Sequence, residues 1–341
     1  MKTTGELLRQ LVAAHIAGDE AGFAGVVEDV IEEERRKNHH LLANELRKLT
    51  KNGPDGAFIR NLGLLPTYTP RDIPSDERGL PLLQAFEPER SLDQVVLRRE
   101  IRGSLERVVE ESRRSDTLRS HGLQPRRKVL FYGPPGCGKT VCAEALANEL
   151  SLPVFLVRFD AVVSSYLGET AANLSKVFHY AQSRPAVLFF DEFDAIGKSR
   201  DSAEEHGELK RVVNSFLQML DAFRAPGLVV AATNHEGLLD NALWRRFDDV
   251  IEFPRPTRAE VETLLRLGLK QFDATGVDYA VITASAGGLS HADVERAMRD
   301  VMKDAILRRR ERIATEDLLR AMKEQARRVR HPRRRAAAFD D

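Results

Sequence analysis

Residues 129–140 read Val129-Leu130-Phe131-Tyr132-Gly133-Pro134-Pro135-Gly136-Cys137-Gly138-Lys139-Thr140. The first four are apolar or aromatic and predict a buried strand, and residues 141–150 have the composition of a helix. Between them lies the G-x-x-x-x-G-K-[ST] pattern in its required strand–loop–helix context. Glycines let successive backbone N–H groups wrap a phosphate, and the helix N-terminus adds the positive end of its dipole. In such a loop Lys139 neutralises the β/γ-phosphate oxygens, and Thr140 offers its hydroxyl to Mg²⁺. Gly133, Pro134, Pro135, Gly136, Cys137, Gly138, Lys139, Thr140 and Val141 are therefore the candidate contacts to a nucleotide.

Working outward, continuous apolar runs recur at 153–159, 187–190, 228–232 and 250–253, with helical stretches between them. Runs of that kind predict a parallel sheet covered on both faces. The run 187–190 ends in Asp191-Glu192, and open parallel sheets bind ligands at the carboxyl ends of their strands. Asp191 there can hold the Mg²⁺ shell, and Glu192 can polarise an attacking water. The run 228–232 ends in Thr233-Asn234, whose Asn234 amide can order that water or meet the γ-phosphate.

The fold class expected is α/β, a P-loop NTPase parallel sheet with a C-terminal helical lid subdomain, preceded by a small α-helical bundle. Within 1–50, three apolar stripes at helical spacing form an adaptor bundle: Leu7/Leu8/Leu11/Val12, Phe23/Val26/Val27/Val30/Ile31 and Leu41/Leu42/Leu46/Leu49. It is similar to MIT-type adaptor bundles, or is simply a helical appendage. Residues 51–89 read as a linker, since 51–84 hold five of the fifteen prolines. The nucleotide subdomain is placed at 90–256, the lid at 257–322 and a basic tail at 323–341.

From about 90 to 303 the chain resembles the AAA ATPase family. The resemblance rests on Asp191-Glu192-Phe193-Asp194, Arg211-Val212-Val213-Asn214, Ala231-Ala232-Thr233-Asn234 and Gly288-Leu289-Ser290-His291-Ala292-Asp293, in that order. It implies a homo-oligomeric ring, usually a hexamer, with ATP between subunits, and extends the nucleotide contacts to Val95, Val96, His291 and Ala292. Ser165-Tyr166-Leu167-Gly168 is similar to the aromatic–hydrophobic–Gly loop lining the pore of family members that thread polypeptide. A large ring beside a flexible Gly can grip an unfolded chain without reading its sequence. Leu243-Trp244-Arg245-Arg246-Phe247-Asp248 looks like the arginine-finger segment. The usual segment separates its two arginines by two residues, whereas Arg245 and Arg246 are adjacent; the position before Phe247-Asp248 favours Arg246. Cys137 stands where the family usually has Thr, which predicts sensitivity of the loop to thiol reagents.

The functional expectation is an ATP-hydrolysing ring motor that remodels or threads protein. His235-Glu236 is followed by Gly237-Leu238-Leu239, so H-E-x-x-H is not met and no protease centre is present in this sequence. Compact prokaryotic relatives are often encoded beside a subtilisin-like serine protease, which makes such a protease a candidate partner.

Two alternatives come from other function classes. A nucleic-acid loader or translocase would use the C-terminal run 307–335, where twelve cations face four acids for a net +8. A nucleotide switch would not require Glu192. The whole chain of 341 residues carries 52 Lys plus Arg and 52 Asp plus Glu, so neutrality sums a basic end and a body netting −8. Apolar residues are 42% and charged residues 30%, which excludes a compositionally disordered chain. Two cysteines cannot build a disulfide scaffold or a four-Cys metal site. The N-terminal apolar stretch 11–17 is short and contains His15, a poor secretory signal, and no run of about 20 apolar residues occurs. A cytoplasmic location without a membrane span is expected.

Overall fold

A computed structural model of the chain describes residues 20–36, 73–163, 169–182, 184–193, 205–235 and 241–336, with residues 10 and 237. Of the three expected N-terminal helices, the second is α1 (Glu20–Arg36), with Phe23, Val27 and Ile31 packed together along one side. It continues through the charged run at 32–36, since Glu and Arg favour helix. The third expected helix and, residue 10 apart, the first lie outside the described residues.

Six strands form one sheet: β1 (Leu83–Phe86), β2 (Lys128–Tyr132), β3 (Val154–Val157), β4 (Val187–Phe190), β5 (Leu228–Thr233) and β6 (Asp249–Glu252). Their spatial order is β1-β3-β4-β5-β2-β6. Every pair is parallel except β1 with β3. The four central runs are strands where the sequence places them. β4 and β5 are buried along their whole length, as strands covered on both faces must be.

The strand β1 falls in the stretch assigned to the proline-rich linker. Its four residues pair with β3 from Leu83↔Val157 to Phe86↔Val154 and form an antiparallel edge. They contain no proline, and Pro81 sits just before them in an isolated bridge to Ser75. The dense prolines upstream mask so short a strand signal.

Helices α2 (Arg99–Arg113), α3 (Ser115–Ser120), α4 (Lys139–Glu149), α5 (Phe159–Val162), α6 (Glu169–Gln182), α7 (Glu205–Ala222) and α8 (Asn241–Trp244) connect the strands. α2 and α4 bring Leu105, Val108 and Leu146 onto one face, against Phe131, Phe189 and Val230. α6 and α7 bring Phe178, Phe216 and Leu220 onto the other, against Leu188, Phe190 and Val229. Alternate residues of one strand thus feed two cores.

After β6 the described chain is helical: α9 (Arg258–Gly268), α10 (Tyr279–Ser285), α11 (His291–Leu307) and α12 (Thr315–Ala336). Leu265, Ile282, Val294, Val301, Leu318 and Met322 belong to their shared core. α12 runs through the division drawn at 322/323, and Gln325 beyond it is buried. Among the described residues, no helix is long and apolar enough to cross a membrane.

Phe190, fully buried, stacks on Phe178 at 5.6 Å and meets Phe216 edge-on at 5.2 Å, directly before Asp191. Phe190→Ala is expected to cost about 3–5 kcal/mol, read as a lower denaturant midpoint. A loss below about 1 kcal/mol would show that this aromatic cluster does not anchor the strand end.

Candidate nucleotide site

The loop after β2 is shaped by its glycines. Gly133, Gly136 and Gly138 all have positive φ, a region that side chains rarely adopt. A Cβ on Gly133 would lie 2.3 Å from the carbonyl oxygen of Phe253, so the loop leaves the sheet against the end of β6. A Cβ on Gly136 would lie 2.6 Å from Ser290 Oγ, so lid and loop meet at backbone distance. Gly138 faces open space. Lys139 begins α4, and its buried ammonium donates to the carbonyls of Gly133 at 2.7 Å and Pro134 at 2.9 Å.

Asp191 follows β4 and reaches the same place. The exposed Thr140 hydroxyl donates to Asp191 Oδ2 at 2.7 Å, and the Glu192 N–H donates to Asp191 Oδ1 at 2.9 Å. Glu192 has φ of +51°, a conformation costly for a side-chain-bearing residue and typical of functional sites. Its side chain is exposed. Asn234 lies one residue beyond β5 and is half-buried. Its neighbour β4 ends at Phe190, so Asp191, Glu192 and Asn234 occupy one edge of the sheet.

A cavity of about 190 Å³ adjoins the loop. Its walls are Val95, Val96 and Leu97, then Cys137, Gly138 and Val141, then Leu264, His291 and Glu295 from the lid, with Arg90 and Gln94 at the side. Arg102 fixes the first wall by donating to the carbonyls of Leu92 and Val95, both at 3.1 Å. Ala292 N–H donates to the Gly136 carbonyl at 3.0 Å. His291 Nδ1 is buried with no hydrogen-bond partner. Burial holds this imidazole below its ordinary pKa, against the pull of Glu260 and Glu295, and so favours the neutral ring. Leu264, Glu295, Gln94 and Arg90 were not singled out from sequence, because nothing local marks a residue that lines a cavity only across a domain junction.

The Arg245–Arg246 segment is held from both sides. Trp244 packs edge-on to Tyr132 at 5.0 Å, Phe247 is buried, and Asp248 Oδ2 accepts from the N–H groups of Arg127 and Lys128. Arg245 is exposed, whereas Arg246 Nε is 2.7 Å from Asp221 Oδ2 at the end of α7. Tyr166, Leu167 and Gly168 lie outside the described residues, as do Asp194 and Glu236.

The residues present fit a nucleotide with a divalent cation. The loop offers a glycine-lined cradle and a buried ammonium, and the cavity presents an unpartnered imidazole nitrogen between apolar walls. Thr140 and Asp191 juxtapose two hard oxygen donors. Among the described residues, no group of three or more His, Cys, Asp or Glu gathers to hold a metal. Mg²⁺ needs none, because it is held by one or two protein groups together with substrate phosphates and water.

A family profile and several known proteins are similar to this chain. The profile of the ATPase family associated with various cellular activities (AAA) matches residues 129–255. An uncharacterized AAA family ATPase, y4kL, of Sinorhizobium fredii is 43% identical over 324 residues, covering 95% of this chain and 96% of its own. A proteasome-activating nucleotidase of Thermococcus onnurineus is 38% identical over 208 residues, 59% of this chain and 52% of its own. The ATP-dependent zinc metalloprotease FtsH 3 of Sphaerobacter thermophilus is 35% identical over 241 residues, and the match spans 49% of its length. The chain thus spans about half of the latter two proteins.

The thiol sensitivity expected of Cys137 is corrected by its surroundings. It is 3% exposed, and burial pushes its thiol pKa up, against the opposing pull of Lys139 and Arg255. Cys142 is fully buried and pushed up to about 12. Only the thiolate alkylates, so at pH 7–8 the native protein is expected to resist iodoacetamide at both cysteines and to label in urea. Rapid native labelling of Cys137, read by mass spectrometry, would contradict this.

Proposed function

The chain belongs to the AAA ATPase family and is an ATP-hydrolysing enzyme, and from that premise we propose a ring motor that threads polypeptide through its pore. The observation that carries the nucleotide chemistry is the junction of Thr140, Asp191 and Glu192 at the mouth of the glycine loop. Support for protein as substrate comes from the proteasome-activating nucleotidase and FtsH relatives, and from Tyr166-Leu167-Gly168.

In this reading the N–H groups of Gly133 and of residues 136–141 and the Lys139 ammonium bind the phosphates, and Val95, Val96, His291 and Ala292 hold the nucleoside end. Thr140 and Asp191 hold Mg²⁺, which when bound supplies charge compensation to the phosphate oxygens. The Glu192 carboxylate accepts the proton of the attacking water, and Asn234 orients that water. The oxygens of Asp191 are engaged by Thr140 and the Glu192 N–H, whereas the Glu192 side chain is exposed. Members of the family generally assemble into rings, and Arg245 and Arg246 lie on a segment suited to reach a neighbour's nucleotide. The Asp221 pair sets the resting position of Arg246 and leaves Arg245 the more accessible guanidinium. A hexamer, and delivery of the threaded chain to a separately encoded serine protease, complete the proposal.

Glu192→Gln is expected to keep ATP binding while turnover falls about 10²–10⁴-fold, the usual contribution of a general base. Wild-type turnover in that variant would remove the assignment. Tyr166→Ala is expected to continue hydrolysing ATP while losing ATP-dependent unfolding of a tagged reporter protein. Persistent unfolding would rule out threading by this loop.

A further inference from the structure

Among the lid residues that meet the phosphate loop, Ser290 and Ala292 lie just ahead of one carboxylate, Asp293. Ser290 Oγ occupies the space a side chain on Gly136 would need, and Ala292 N–H bonds the Gly136 carbonyl. Ser290 is held in place by Asp293. Its Oδ2 accepts from the Ser290 N–H at 3.0 Å and the Ser290 hydroxyl at 2.8 Å, and the Asp293 N–H returns to Ser290 Oγ at 3.2 Å. Such a reciprocal box satisfies the start of α11.

The box has an outside partner. Gln325 of α12 is 3% exposed and donates its amide to Asp293 Oδ1 at 2.8 Å, across 32 residues of sequence. A capping box needs no such donor, and α12 already has Leu318 and Met322 to bind it to the lid core. Burial pushes the Asp293 carboxyl up, and the donors from Ser290 and Gln325 more than offset this, so it stays below the usual carboxylate range.

We infer that Gln325 and Asp293 are positioning residues for the phosphate loop: the C-terminal helix holds Ser290 and Ala292 on Gly136 and so sets nucleotide affinity. The inference rests on the reading of residues 133–140 as the nucleotide loop. Without the Gln325 amide, one oxygen of a partly buried carboxylate loses its donor, and the carboxylate turns to find another. Ser290 and Ala292 turn with it, and Gly136, which has no slack on that side, follows. Asp191 and Glu192 follow β4, and Asp191 meets the loop at Thr140 rather than at Gly136. The consequence is therefore confined to binding.

The experiment compares ATP titration and steady-state hydrolysis for the full-length wild type, Gln325→Leu and Asp293→Asn. Both variants are expected to raise Kd and KM for ATP about tenfold, the size of one buried charge-assisted hydrogen bond, with kcat unchanged. The double variant is expected to add little to either single one, because both break the same link. Where Gln325→Leu lowers the melting temperature, Gln325→Met carries the same test with an unbranched stem.

Unchanged Kd in folded variants would overturn the inference, as would a fall in kcat at constant KM. Lys139→Ala separates the two levels of argument. If it abolishes binding while Gln325→Leu binds normally, only this inference falls. If Lys139→Ala itself binds ATP normally, the nucleotide loop has been misread.

Discussion

One carboxylate ties the sheet to the loop. Asp191 stands at the end of β4 and divides its oxygens between the Thr140 hydroxyl at the start of α4 and the N–H of its own neighbour Glu192. The first bond fixes the distance between the strand end and the phosphate loop. The second holds Glu192 in a left-handed conformation that the residue would not choose alone. Behind Asp191, the buried ring of Phe190 and its aromatic neighbours make the strand end rigid. Fixed charges placed before a reaction begins are what phosphoryl transfer requires of a protein, because it involves little covalent work by the enzyme.

The cavity beside the loop is built from three stretches that no single domain contains: the segment at 94–97, the loop itself and the lid. Arg98 spans the same junction, donating to the Arg255 carbonyl at 2.8 Å and lying 3.3 Å from Glu260 on α9. Glu260 in turn closes the capping box with Thr257 that starts the lid. Charged and backbone contacts thus join the start of the lid to the segment beside the cavity.

Much of this was legible in the residues. The runs at 129–132, 187–190 and 228–232 became β2, β4 and β5 because an unbroken apolar stretch between helices can satisfy itself only inside a covered sheet. The loop, Asp191 and Glu192 came with them, since their spacing is local. Other features were hidden because they depend on partners far along the chain. Leu83–Phe86 is a strand only because β3 accepts it at the edge, and α12 runs past its expected end, where buried Gln325 donates to the half-buried Asp293. Cys137 looked reactive from its neighbours in sequence, whereas its burial decides its chemistry. Asp221 gave no signal at all until the fold placed it against Arg246.

The claim on which the rest stands is that Asp191 and Thr140 hold a divalent cation against bound ATP. Calorimetric titration of ATP into the wild type and Asp191→Asn, each with Mg²⁺ and with EDTA, tests it directly. The account predicts that the two proteins bind ATP alike in EDTA, that Mg²⁺ tightens binding to the wild type, and that this gain disappears in Asp191→Asn together with hydrolysis. An Asp191→Asn protein that keeps the full Mg²⁺ gain would contradict it.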